Sequence, residues 1–188
     1  MNLCVYCSSS NAVDPKYFTV ATELGAMLAA RGDTLVYGGS SIGLMGAIAR
    51  AVHQGSGRVV GVIPQALVDM EVAYNTADEL LVTETMRERK AAMEARADAF
   101  LALPGGLGTL EEVFEILVLK QLRLLNKPVV LLNVDGFYDP LVQLFETMRE
   151  ARFVKPNYSV LYHLAPDLAD TFSYIDTYQP VEIEPKTF

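Results

Sequence analysis

An α/β fold of the Rossmann-like, doubly wound kind, with a parallel sheet and helices on both faces, is what this sequence predicts. Three observations lead there. Short apolar runs alternate with longer segments of helical periodicity along most of the chain. Two runs, Phe100–Pro104 and Pro128–Val134, are continuously apolar, as strands are when both faces of the sheet are covered. Glycine-rich turns lead from several runs into helices, the arrangement of βα units. With 188 residues and no linker, repeat or low-complexity stretch, one domain over residues 1–188 is expected.

The elements follow in order. Leu3–Ser8 reads as the first strand. Tyr17–Arg31 reads as a helix, with Val20, Leu24, Met27 and Leu28 at helical spacing; Gly25 inside it is tolerated. Thr34–Gly38 is a second strand and Ile42–His53 a second helix. Arg58–Ile63, ended by Pro64, is a third strand, and Val68–Asp78 is an irregular loop near the site. Glu79–Thr83 is a fourth strand, followed by a charged helix over Glu84–Asp98. Ala99–Leu103 is a fifth strand, followed by a helix over Thr109–Leu124. Lys127–Val134 is a sixth strand, with a helix over Pro140–Ala151. The tail holds a helix over Pro166–Tyr174 and a last strand over Pro180–Ile183.

Composition narrows the function. Net charge is −8 with a pI near 4.7, and duplex-binding proteins usually carry a basic face because phosphate contacts dominate their affinity. The start of the chain has no basic, apolar signal segment, and no run approaches a membrane span. A cytoplasmic location without membrane or nucleic-acid partners is the expectation. Cys4 and Cys7 have the C-x-x-C spacing, but positions three apart in a strand face opposite ways. Only His53 and His163 could complete a zinc set. Two buried thiols, with no metal and no cofactor, are expected.

In a doubly wound sheet, ligands bind beyond the carboxyl ends of the strands. Three turns there are unusual. Ser8-Ser9-Ser10-Asn11 offers hydroxyls and backbone N–H groups, as an ordinary polar loop also does. Gly38 and Gly43 have the spacing of a phosphate loop, but Leu44 stands where its lysine belongs, which argues against a nucleoside triphosphatase. Pro104-Gly105-Gly106-Leu107-Gly108-Thr109-Leu110-Glu111-Glu112 enters a helix from the most apolar strand. Its Glu111 occupies the third glycine position of a dinucleotide fingerprint, and it is not the first βα turn, so a single phosphate fits better. Thr109 and Glu112 also have the spacing of a capping box. The helix that follows is apolar nearly all round over Val113–Leu122, so a carboxylate at its start would open onto a cleft with little water.

The helix after the fourth strand places Met86, Arg89, Lys90 and Met93 on one stripe, with Ala91, Ala92 and Ala95 opposite. Two cations beside two methionines suit a ligand with a flat apolar part and an anionic part. Periodicity leaves open which face is buried, and a solvated helix with Arg–Glu pairs has the same pattern.

Met86-Arg87-Glu88-Arg89-Lys90 together with Pro104–Glu112 resembles the paired signature of the Lonely Guy family, the cytokinin riboside 5′-monophosphate phosphoribohydrolases. Cys7–Ser10 and Tyr37–Gly46 fit as well, so the resemblance covers most of residues 1–150. It implies a Rossmann-like homodimer with active sites near the subunit interface. It further implies hydrolysis of the N-glycosidic bond of AMP or N6-modified AMP to a free base and ribose 5-phosphate. By motif position, Arg89 and Glu112 form the essential pair, with Glu111 as the substitute for Glu112 at the ribose. Gly105, Gly106, Gly108 and Thr109 cradle the phosphate, with Gly39, Ser40 and Ser8 assisting and Met86 and Lys90 contacting substrate. Such proteins have often been labelled lysine decarboxylases, yet this chain is short for a pyridoxal-phosphate decarboxylase and shows no lysine in a cofactor motif.

Two other readings stand beside this one. A non-catalytic nucleotide or molybdenum-cofactor carrier would keep the glycine turns without needing the Arg89–Glu112 pair. A single-strand DNA-binding protein of related fold would need a basic, aromatic-rich stripe that the sequence lacks.

Overall fold

A computed structural model describes residues 1–70 and 72–183. The chain runs β1 (Asn2–Tyr6), α1 (Pro15–Arg31), β2 (Thr34–Tyr37), α2 (Gly43–Gln54), β3 (Arg58–Pro64), α3 (Gln65–Val68) and β4 (Glu79–Thr83). It continues through α4 (Met86–Arg96), β5 (Ala99–Ala102), α5 (Leu107–Gln121), β6 (Val129–Leu132), α6 (Asp139–Glu150), β7 (His163–Ala165) and α7 (Leu168–Thr177). Among the described residues, seven strands form one sheet in the order β4-β3-β2-β1-β5-β6-β7, every neighbouring pair parallel. The fold class read from the sequence is thus the one observed.

Alternation along β1 divides the core. Leu3 and Val5 pack with Leu24 and Leu28 of α1, Ile48 of α2 and Phe172 of α7 on one face. Cys4 and Tyr6 pack with Met93 of α4, Val113 of α5 and Phe145 of α6 on the other. Cys4 and Cys7 are both buried free thiols on opposite sides of the sheet, as their spacing requires. Burial pushes the Cys4 thiol up to about 12, and the Cys7 thiol is also raised, so neither is a ready thiolate.

The sequence expectation for the C-terminal part needs correction. The seventh strand is His163–Ala165, not Pro180–Ile183, which forms no strand. The Val181 carbonyl is taken by a side chain and not by a neighbouring strand: Asn126 Nδ2 donates to it at 3.2 Å. The loop expected at Val68–Asp78 starts one residue later, because the short helix α3 occupies Gln65–Val68; Glu71 within it lies outside the described residues.

The strand order places β1 between β2 and β5, with the chain winding outward in both directions. Where the winding reverses, the turns after β1 and β5 part and leave a crevice at their carboxyl ends. All three glycine- or serine-rich turns open there.

Candidate active site

A cleft of about 550 Å³ occupies this crevice, a volume within the usual range for small-molecule sites. Ser8, Ser9 and Ser10 line it from the turn after β1, and Gly38 and Ser40 from the turn after β2. Gly106, Gly108, Thr109 and Glu112 line it from the start of α5. Met86 and Arg89 reach it from α4.

The two helix starts that face it differ in what their N–H groups do. At α2, the Gly43 N–H donates to Asn11 Oδ1 at 2.9 Å and the Leu44 N–H to the Ser8 carbonyl at 2.9 Å. At α5, Gly106 is the N-cap and no side chain caps the helix. A helix start without a capping side chain favours an anion, through its unsatisfied donors and the helix dipole. The α5 start is therefore the better anion seat of the two.

This geometry also disposes of the capping-box alternative for Thr109 and Glu112. The helix begins at Leu107, so Thr109 and Glu112 are its third and sixth residues, too far inside to cap it. A capping box is present in α4 instead. Thr85 Oγ1 accepts from the Glu88 N–H at 3.2 Å, and Glu88 Oε2 accepts from the Thr85 N–H at 3.2 Å.

That box fixes the first turn of α4 and with it Arg89, whose side chain is buried against the sheet. Arg89 Nε donates to the Val62 carbonyl at 3.1 Å, and Arg89 Nη1 donates to Glu112 Oε1 at 2.5 Å. Only 5% of the Arg89 side chain and 7% of the Glu112 side chain is accessible, so the pair sits in low dielectric. Burial raises the Glu112 carboxyl above its ordinary pKa, and the opposed Arg89 charge only partly counters it. A buried acid–guanidinium pair opening into a cleft can hold a developing cation or orient a water molecule.

Not every residue expected at the site faces the cleft. Lys90 bridges α4 to α5, ion-paired with Glu111 and Glu115, and does not itself line the cleft, although Glu111 does. Met93, on the same stripe, is fully buried in the core. Of that stripe, Arg89 and Met86 line the cleft. Gly105 and Gly39 stand behind the lining. A Cβ on Gly105 would come within 2.1 Å of Thr109 Oγ1, and Gly39 (φ +74°) packs against Val62 and Ile63. These two glycines act as spacers that let the lining residues close up.

The sequence placed Val68–Asp78 near the site but did not identify the side chains that make a wall of it. Leu67, Met70 and Val72 line the cleft from the segment after β3, together with Ile42 and Met45. Val72 is held by its carbonyl, which accepts from the Ser41 N–H at 2.7 Å, and the Tyr74 N–H donates to the Gly39 carbonyl at 2.8 Å. Further along, Tyr74 and Asp78 both hydrogen-bond His53. Apolar side chains in an otherwise irregular segment are the signal that marks such a wall in a sequence.

A family model described as "possible lysine decarboxylase" matches residues 45–175. The chain is 46% identical over 179 residues to a probable cytokinin riboside 5′-monophosphate phosphoribohydrolase of Oryza sativa subsp. japonica, covering 95% of this chain and 79% of that protein. It is 42% identical over 179 residues to a cytokinin riboside 5′-monophosphate phosphoribohydrolase of Arabidopsis thaliana, covering 95% and 78%. Among solved structures, the molybdenum cofactor binding protein of Rippkaea orientalis superposes with a TM-score of 0.71 at 24% identity, covering 94% of this chain and 95% of that one. The molybdenum cofactor carrier protein of Chlamydomonas reinhardtii gives 0.70 at 23%, covering 93% and 95%. At that identity the structural likeness speaks for the fold alone.

Proposed function

Because the chain belongs to the family described as possible lysine decarboxylases, and within it to the cytokinin riboside 5′-monophosphate phosphoribohydrolases, we propose that its cleft hydrolyses the N-glycosidic bond of a nucleoside 5′-monophosphate. The substrate is AMP or an N6-modified AMP, and the products are the free base and ribose 5-phosphate. The observation that carries this reading is the buried Arg89–Glu112 pair at the uncapped start of α5, inside the cleft.

In the reaction, the C1′–N9 bond breaks with its electron pair going to the base, which takes up a proton. A water oxygen bonds to C1′. Positive charge builds on the sugar as the bond opens, as in glycoside hydrolysis. Glu112 faces that charge or orients the water, and Arg89 holds it in place while neutralising negative charge on the departing base or the phosphate. The start of α5, with Gly106, Gly108 and Thr109, seats the 5′-phosphate, and Ser8 and Ser40 line the opposite side. The phosphate is remote from the breaking bond, so its binding energy serves to position the sugar. The apolar wall of Leu67, Met70, Val72 and Met86 supports a substrate with a flat purine, with or without an apolar N6 group.

Amine decarboxylation through a lysine-bound cofactor finds no support in the cleft: among the described residues no lysine lines it. A non-catalytic carrier would have no use for a buried acid–guanidinium pair whose burial carries a large desolvation cost. Homodimer formation belongs to the same reading. It is supported by Leu107, Val118 and Leu122, apolar side chains exposed along and just beyond α5 at 86%, 47% and 45%. A cytoplasmic site of action belongs to it too; among the described residues no helix is long and apolar enough to cross a membrane.

Glu112→Gln tests the assignment. The variant should lose about a thousandfold in turnover of AMP, the scale of removing one transition-state stabilising group. AMP should still bind with near wild-type affinity by calorimetry. Base release at the wild-type rate from Glu112→Gln would refute it.

A further inference from the structure

Arg89 reaches Glu112 by passing over the end of β2, and the residue it passes over is Gly38. The last β2–β3 pair is Tyr37↔Gly61, and β3 runs on three residues beyond it. There the Val62 carbonyl accepts from Arg89 Nε at 3.1 Å. The guanidinium then lies so close to Gly38 that a Cβ on this residue would stand 2.1 Å from Arg89 Nη2 and 3.2 Å from its Cζ. The nearest atom outside Arg89 is Met45 Sδ, at 3.1 Å. No real Cβ tolerates the first of these separations. The obstacle is the far end of one flexible side chain, so an added methyl would displace the guanidinium and leave the backbone where it is. Gly46, in the first turn of α2, is the contrasting case: a Cβ there would meet the Ser41 carbonyl oxygen at 1.9 Å, and the backbone itself would have to move.

We infer that Gly38 is a positioning residue for hydrolysis. Its missing side chain is the berth in which the Arg89 guanidinium lies between the Val62 carbonyl and the Glu112 carboxylate. Gly38 touches no reacting atom in this role; it acts through Arg89. The inference rests on the reading of Arg89 and Glu112 as the hydrolytic pair. It goes beyond that reading by explaining why the turn after β2 must begin with a residue lacking a Cβ. A phosphate-loop role for Gly38 would require its backbone at an anion. The berth requires only its lack of a side chain.

A double-mutant cycle tests it, with base release from AMP and the thermal midpoint as readouts. Gly38→Ala should fold with a thermal midpoint close to wild type and lose about a hundredfold in kcat/KM, the scale of an ångström-sized misplacement of a working group. In an Arg89→Ala background the same substitution should cost less than about threefold further, because the group it displaces is gone. Wild-type kcat/KM in Gly38→Ala beside an inactive Arg89→Ala overturns the inference and leaves the pair standing. So does an equal hundredfold loss in both backgrounds. Wild-type turnover in Arg89→Ala overturns the pair and the inference together. Should Gly38→Ala fail to fold, the double variant must fold, since removing the guanidinium vacates the space; a double variant that also fails to fold overturns the inference.

Discussion

At Glu112 two influences oppose one another. Burial favours the neutral acid, the Arg89 guanidinium at 2.5 Å favours the carboxylate, and burial is the larger. If the carboxylate form does the work, the acid limb of the kcat/KM–pH profile lies above the ordinary glutamate value of 4.5. Activity is then lost on acidification earlier than for an exposed glutamate, and Glu112→Gln abolishes that limb together with turnover. A limb at or below 4.5 in the wild-type profile would contradict the assignment. Arg89 and Glu112 were paired in advance only through the family resemblance of their two motifs; periodicity and spacing by themselves read Glu112 as half of a helix cap and left the buried face of the Arg89 helix open. The position of Lys90 was not legible. Helical periodicity puts Lys90 on the same stripe as Arg89, but it cannot see that Glu111 and Glu115 of the neighbouring helix hold the ammonium between them. Those carboxylates raise the Lys90 pKa, so it remains charged as a clasp between α4 and α5.

Two helices set the site, and each can be tested separately. The first turn of α4 is closed by the Thr85–Glu88 box, four residues before Arg89. Thr85→Ala should cost about 1 kcal/mol in a urea titration; an unchanged denaturation midpoint would show that the box does not hold the helix start. At the far end of α5, Lys120 is fully buried. Its Nζ donates to the Lys127 carbonyl at 3.0 Å and lies 4.8 Å from the Tyr178 ring. Burial lowers its pKa from 10.5 to about 8. Between those values the unfolded chain binds the proton and the folded chain does not, so stability from this group rises as pH goes from about 8 to 10.5. Relative to Lys120→Met, the wild type should gain on the order of 2 kcal/mol over that window. Parallel pH dependences for the two proteins would contradict this. Element boundaries were legible where periodicity was strong. The start of α5 was misread by two residues because a glycine, and not the threonine, caps it. Strand β7 was missed because three residues carry no readable alternation, whereas the apolar letters of Val181 and Ile183 suggested a strand that does not form.

Across the whole molecule, strand order does what no single motif could. Winding outward from β1 in both directions brings turns more than sixty residues apart in the chain to one crevice. Alternating apolar and periodic segments made that architecture legible before any contact was known. The apolar wall from the segment after β3 was not legible in detail, since its side chains converge only once that segment pairs with the turn after β2, as Ser40 does with Ala73. If α5 also packs against a second copy of the chain, sedimentation should give a dimer, and Val118→Lys, placing a charge on that exposed stripe, should shift it to monomer. The account as a whole holds that an acid at a helix mouth cleaves the base from a sugar anchored by its 5′-phosphate. The most direct test is base release from AMP and its N6-isopentenyl derivative, set against the corresponding nucleosides at equal concentration. At least one nucleotide should yield free base and ribose 5-phosphate in equal amounts, with the matching nucleoside about a hundredfold slower or worse. Equal rates with and without the phosphate, or no base release from either nucleotide, would contradict the account.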